Sequence, residues 1–332
     1  MIQHPAILAL LTSSFIISGM LISASWFGKQ ILSSWDLSSG SELQLALERR
    51  TYLISTLISY ALFFQIFSLF LFIHTAEDLH VLFTGAMCAA GTLAVNSSGY
   101  PTLILKMLNC TLAGVWLIIN HADIRGYDYP LIKPKYLLLN LLALLILIET
   151  VLQFSFFLRL KGDVITSCCG SLFSSDTAGF SGNIASLPHT VMQPLFFAAM
   201  AATIGCAVLF MRKRKGAYLF SITSTVTFFI AAASLLSFIC LYYYELPSHH
   251  CPFCILQQEY GFTGYLLYAT LLGGAVTGIG VGVLHPFTAC ASLKLVIPAL
   301  QRKLIVATMV LYLLFFLLTA DRMIFSNLRL VY

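Results

Sequence analysis

Residues 137–158 read LLLNLLALLILIETVLQFSFFL. The run is continuous and does not alternate apolar with polar positions. As a helix rising about 1.5 Å per residue it is long enough to cross the roughly 30 Å hydrocarbon core of a bilayer. A lipid-facing strand would alternate over about ten residues, so the stretch points to a helix and away from a β-barrel. Comparable runs recur through the 332 residues, which are 59% hydrophobic and only 9% charged, where a soluble domain carries about a quarter charged residues.

The reading is therefore an all-α, polytopic transmembrane helical bundle of about nine helices in a lipid bilayer. Apolar windows bounded by charge, Pro and Gly place the spans at 6–28, 51–73, 81–96, 101–120, 137–158, 191–211, 217–243, 255–284 and 304–320. No linker, acidic tail or repeat separates them, so residues 1–332 read as a single integral-membrane domain. The apolar run up to Phe27 has no basic segment ahead of it and is expected as a retained first helix.

Positive residues punctuate the spans and form no soluble basic face, which excludes a nucleic-acid partner. Arg212-Lys213-Arg214-Lys215 is the densest group and is assigned to the cytoplasmic side. Nine crossings then put Arg125, Lys133, Lys135, Lys294, Arg302 and Lys303 on that side, and Lys29, Arg49, Arg50, Arg159, Lys161, Arg322 and Arg329 on the other. The expected arrangement is a multi-pass protein of a bacterial inner membrane with a cytoplasmic N-terminus. Outer loops at 161–190 and 244–254 carry cysteine pairs.

Those pairs are Cys168-Cys169 and Cys251-Pro252-Phe253-Cys254. The other five cysteines (Cys88, Cys110, Cys206, Cys240 and Cys290) lie in or beside apolar spans and read as packing residues, because a thiol behaves as a small hydrophobe. The Cys-x-x-Cys spacing suits a redox dithiol. Pro252 suits the first turn of a helix running on through Ile255, whose unpaired N–H groups would favour a thiolate at Cys251. His249 and His250 are placed to tune or shuttle its proton. The same spacing also serves a structural staple or half of a metal site, and Cys168, Cys169, Cys251, Cys254 and His250 are a candidate ligand set for copper or zinc. Covalent haem is excluded, since Ile255 and not His follows Cys254; haem held by histidines stays open.

The cysteine layout resembles vitamin K epoxide reductase-like proteins and the bacterial membrane quinone reductases that reoxidise periplasmic disulfide donors. The resemblance implies that Cys251 and Cys254 adjoin a quinone and that Cys168 and Cys169 exchange with a periplasmic thioredoxin-like protein. Gln257, Gln258 and Glu259, within two turns of Cys254, are candidates to receive the quinone head group.

Ionisable groups inside spans are functional candidates by default. Glu149, with Gln153 one turn on, is a candidate proton carrier, and Lys106 sits inside the fourth span. A snorkelling Lys106 and a neutral Glu149 bonded between helices are the expectation, unless the two approach and compensate each other. The glycines Gly273, Gly274, Gly278, Gly280 and Gly282 predict close helix packing. No nucleotide-binding or HExxH motif is present. The expected function is thiol–disulfide exchange between periplasmic thiols and a membrane carrier. The alternatives are a permease or complex subunit holding metal or haem, with any ATPase a separate chain, and a disulfide-stapled structural subunit.

Overall fold

The computed structural model describes residues 4–36, 39, 41–162, 164–166 and 187–330. Their helices are α1 (Pro5–Ser34), α2 (Glu42–Asp78), α3 (Ala89–Ala94), α4 (Gly99–Asp123), α5 (Ile132–Leu158), α6 (His189–Lys213), α7 (Ala217–Ser234), α8 (Cys240–Tyr244), α9 (Thr263–Leu284) and α10 (Val296–Phe325). A π-turn at Leu235–Ile239 joins α7 to α8 without a break. Among the described residues, eight stretches are long and apolar enough to cross a membrane, with α7 and α8 forming one of them.

The expected span at 81–96 is not a crossing. It divides into a 3₁₀ turn at His80–Leu82 and the six-residue α3. Its apolar residues Phe83, Cys88, Ala89, Ala90 and Leu93 are buried in protein. Gly85, at φ +89°, turns the chain between the two pieces, and a side chain there would run into the Thr166 carbonyl. The span expected at 255–284 also begins late: two 3₁₀ turns occupy 254–260 and α9 starts at Thr263.

The chain forms two compact units. Unit 1 holds residues 1–73, 96–160 and 283–301, and is built on α5 lying between α1 and α4. The exposed face of α5 is Leu137, Leu141, Leu144, Ile148 and Val151, while Glu149 and Gln153 point inward. That polarity suits lipid outside and polar bonding inside. Gln153 donates to the Leu10 carbonyl and Ser14 Oγ, both at 3.1 Å, and Ser18 Oγ meets Thr150 Oγ1 at 2.7 Å. At one end, Lys135 Nζ reaches Asp123 Oδ2 at 2.5 Å, and the other Asp123 oxygen accepts the Leu131 N–H. The α4–α5 turn is thereby fastened by a fully buried pair.

Unit 2 holds residues 74–95, 161–282 and 302–332. The turn between α6 and α7 uses left-handed backbone at Arg214 and Gly216, so the two helices run antiparallel, joined inside by Thr203 and Thr227 hydroxyls 2.8 Å apart. Phe196 meets Phe238 and Phe315 edge-on and stacks on Phe316. The glycines of α9 perform as the sequence predicts: a side-chain carbon on Gly282 would stand 2.6 Å from Ser221 Oγ, and one on Gly278 would overlap Ser224.

Candidate metal centre

All three cysteines of the centre belong to unit 2. Cys251 and Cys254 lie on the connection between α8 and α9, and Cys88 is the residue before α3. Their sulfurs all fall within 4.8 Å of one another, with Cys88 Sγ and Cys251 Sγ 3.6 Å apart. Cys88 and Cys251 are 0% exposed and Cys254 6%. Cys88, read from its apolar surroundings as a packing residue, is buried as expected and also stands beside Cys251. Its partner is 163 residues away in sequence, a proximity that no local spacing displays.

The two loops are fastened to each other by Glu77, at the end of α2. One of its oxygens accepts the Ala89 N–H at 2.6 Å, next to Cys88, and the other accepts Gln257 Nε2 at 2.7 Å, three residues after Cys254. Gln257 Nε2 also donates to the Met87 carbonyl at 2.8 Å. Gln257 thus braces the thiols from outside. Gln258 and Glu259 are exposed on the following 3₁₀ turn.

The backbone of the Cys251–Cys254 loop is held by phenols. Tyr244 OH donates to the Cys251 carbonyl at 2.5 Å, and Tyr268 OH donates to the Pro252 carbonyl. Cys251 does not stand at a helix N-terminus, because the long helix begins only at Thr263. The dipole expected to favour its thiolate is absent, and Pro252 marks a bend in place of a first helical turn.

His249 Nε2 lies 3.3 Å from Cys254 Sγ, and its ring packs edge-on to Tyr244 at 4.6 Å. His250 turns the other way, with Nδ1 2.7 Å from the Leu236 carbonyl in the π-turn. A π-turn leaves backbone carbonyls out of register with the helix ladder, and here one of them anchors the segment leading into Cys251. Three sulfurs are thus mutually close, and His249 stands beside one of them, Cys254. His250 belongs to the scaffold.

Tyr260 packs on Tyr244 at 5.0 Å, and its phenol is held above the usual value by burial and then by neighbouring Cys254 and Glu259. Tyr242, Tyr244, Tyr260, Glu259 and Arg322 help to line an open cavity of ≈ 480 Å³. Comparison with family models, curated proteins and solved structures finds no match. The chemistry must be read from the geometry alone.

Cys168 and Cys169 lie outside the described residues. Thr166, two positions before Cys168, donates its N–H to the Thr84 carbonyl at 3.0 Å on the loop leading to Cys88. Glu149 is in unit 1, where Lys106 Nζ reaches it at 2.7 Å. Lys106 is 1% exposed. The two approach after all, and the snorkelling expectation for Lys106 does not hold.

Proposed function

We propose that the chain is a membrane protein that holds a soft, thiophilic metal ion, copper(I) or zinc, on Cys88, Cys251 and Cys254, with His249 as the nearest further donor. The observation that carries this reading is the convergence of three sulfurs from two separate loops within 4.8 Å. Bonds of about 2.3 Å to one ion set thiolate sulfurs about 3.8 Å apart in a tetrahedral site, a spacing close to the 3.6 Å between Cys88 and Cys251. Thiolates select soft or borderline ions over hard ones. The burial of all three, with no helix dipole to activate them, suits ligands that a metal deprotonates better than nucleophiles that must react with a soluble partner.

Orientation follows from charge. Within unit 2 the turn at Arg212 to Lys215 lies at one end of the α7–α8 span and the thiols at the other. The positive-inside rule assigns the thiols to the extracytoplasmic face of a plasma membrane. On this reading eight crossings would carry the N-terminus to the thiol side, opposite to the expectation from nine. Only Arg159, Lys161, Arg322 and Arg329 then share the thiol face, and apart from buried Lys106 all other Lys and Arg fall on the cytoplasmic side. That is a steeper bias than nine crossings give.

A second reading rests on the 3.6 Å between Cys88 and Cys251. A small closure would form a disulfide, releasing two protons and passing two electrons to a quinone-class membrane carrier, as the thiol-exchange expectation requires. One experiment separates the two. Purified protein is loaded with zinc or with copper(I) under reductant, assayed for metal per chain, and mass-tagged for thiols across a glutathione series. One tightly held ion per chain, lost in Cys88→Ser and in Cys251→Ser, supports the metal centre. Reversible oxidation of Cys88 and Cys251 with no retained metal replaces it by the redox reading.

A further inference from the structure

Unit 2 also contains the cavity of ≈ 480 Å³ that opens beside Tyr244 and Tyr260. Its chemistry differs from that of the thiols. Three consecutive tyrosines of α8, Tyr242, Tyr243 and Tyr244, form one wall. Tyrosines of an aromatic belt stand at the lipid headgroups, whereas these are only 9%, 6% and 7% exposed. Their hydroxyls are engaged with protein. Gln193 Nε2 donates to Tyr242 OH at 3.1 Å, Tyr243 OH donates to the Leu318 carbonyl at 2.9 Å, and Tyr244 OH donates to the Cys251 carbonyl. What this wall offers a ligand is therefore ring surface. Tyr260 adds a fourth ring, packed at 5.0 Å on Tyr244.

Three charged groups line the same cavity: Glu245, Glu259 and Arg322. Two of them are already committed. The Arg322 guanidinium lies 5.4 Å from the centre of the Tyr243 ring, and Glu245 accepts the backbone and side-chain N–H groups of Asn327 at 3.0 and 3.2 Å. Glu259 makes no hydrogen bond or ion pair with the described residues. Two left-handed residues in succession, Gly261 at φ +60° and Phe262 at φ +54°, turn the chain directly after Tyr260 and leave Glu259 and Tyr260 on the cavity wall. Phe262 has no glycine's freedom there, so the turn is held against a local conformational cost.

The face of an aromatic ring is negative and attracts cations, ammonium groups above all. Arg322 over Tyr243 shows this wall already carrying one. Two carboxylates against one guanidinium disfavour an anion, and the volume exceeds what a bare ion needs. We infer that the cavity binds an organic ammonium group of the choline class, with Glu259 as its counter-charge and the Tyr260 and Tyr244 rings as its cage. The site is independent of any metal on the thiols. It lies at the end of the α7–α8 span, where such a group arrives either as a free amine or as the headgroup of a zwitterionic phospholipid.

The test uses the full chain in dodecyl maltoside, an uncharged detergent, with chelator present so that the thiols hold no metal. Tm is followed as choline chloride replaces sodium chloride at constant ionic strength. In a second arm, phosphatidylcholine or phosphatidylglycerol is added and the lipid retained per chain is counted by native mass spectrometry. Choline should raise Tm saturably. Glu259→Gln and Tyr260→Leu should each move the midpoint of that rise to about two- to fivefold higher choline, the effect of one exposed charge or ring contact. Tyr260→Phe keeps the ring and should leave the midpoint in place. If choline has no effect but phosphatidylcholine is retained over phosphatidylglycerol, and Glu259→Gln loses that preference, the bound ammonium is a lipid headgroup. No choline effect together with no lipid preference, or effects unchanged in both Glu259→Gln and Tyr260→Leu, would overturn the site.

Discussion

The two units bury polar chemistry in opposite ways. In unit 1 the buried groups are hard: a carboxylate, an ammonium and amides, tied so that Glu149 takes four donor contacts. In unit 2 they are soft: three sulfurs, positioned by the backbone of their loops through Tyr244, Tyr268 and Glu77. Hard groups in a low-dielectric interior must satisfy one another, so their arrangement stabilises the fold. Sulfur buries cheaply as a small hydrophobe, so a cluster of thiols can be kept for what it binds. The difference predicts that damage to unit 1 reads out as stability and damage to the thiol cluster as binding.

The largest effect should come from breaking the Lys106–Glu149 pair. Lys106→Met or Glu149→Leu alone leaves an uncompensated buried charge and should cost about 3–5 kcal/mol, read as a loss of Tm. Lys106→Met with Glu149→Leu removes both charges and should recover most of that. Asp123 and Lys135 make a parallel case, 0% exposed on both side chains and fastening the α4–α5 turn. If the double variant is no more stable than the singles, unit 1 does not depend on charge compensation and the contrast with unit 2 fails.

Next comes the thiol cluster. Cys88→Ser should lower the metal-free stability by about 1–3 kcal/mol, the cost of burying one hydroxyl, yet abolish stoichiometric metal retention. Glu77→Gln and Gln257→Leu touch no metal and loosen the two loops from each other. They should weaken metal affinity about 10–100-fold, the range found for groups that orient ligands, while leaving the number of ions bound at saturation unchanged. A Glu77→Gln protein with unaltered affinity would show that the sulfurs are held by their own loops and not by the brace.

Most of the fold is legible in the sequence because hydrophobic length alone separates a crossing from a loop. The segment at 81–96 misleads since it is apolar for another reason: Phe83, Ala89, Ala90 and Leu93 face protein, not lipid. Hydropathy cannot distinguish those two environments when a segment is short. Cys251 and Cys254 are visible through their spacing, whereas Cys88 joins them only through tertiary contact across 163 residues. Its one local signal, a cysteine beside a glycine turn at Gly85 in an uncertain span, carries no chemistry by itself. Pro252 imitates a helix start, and the real start is displaced by the 3₁₀ turns that let Gln257 reach Glu77. Lys106 and Glu149 stand out as costly residues, but their pairing depends on how α4 and α5 face each other.

The smallest predicted effect compares two carboxylates held by asparagine. Glu149 accepts from Asn109 in a dry interior. Glu245, just beyond α8, accepts the backbone N–H of Asn327 at 3.0 Å and its side-chain amide at 3.2 Å in full contact with water. These bonds, the backbone one first, hold the Glu245 carboxyl below its ordinary value. A folded-state value below the unfolded one means that the contribution is present above the unfolded carboxylate value of about 4.3 and is lost as pH falls through the folded value. Water competes for every one of these bonds, so the contribution is small and local. Hydrogen-exchange protection at the Asn327 amide, corrected for intrinsic rate, should fall on acidification below about pH 4, and Glu245→Gln should remove that pH dependence without lowering the Tm. If Glu245→Gln instead destabilised the whole chain as Glu149→Leu is expected to, the amide bonds themselves, and not burial, would be what separates the two carboxylates from ordinary ones.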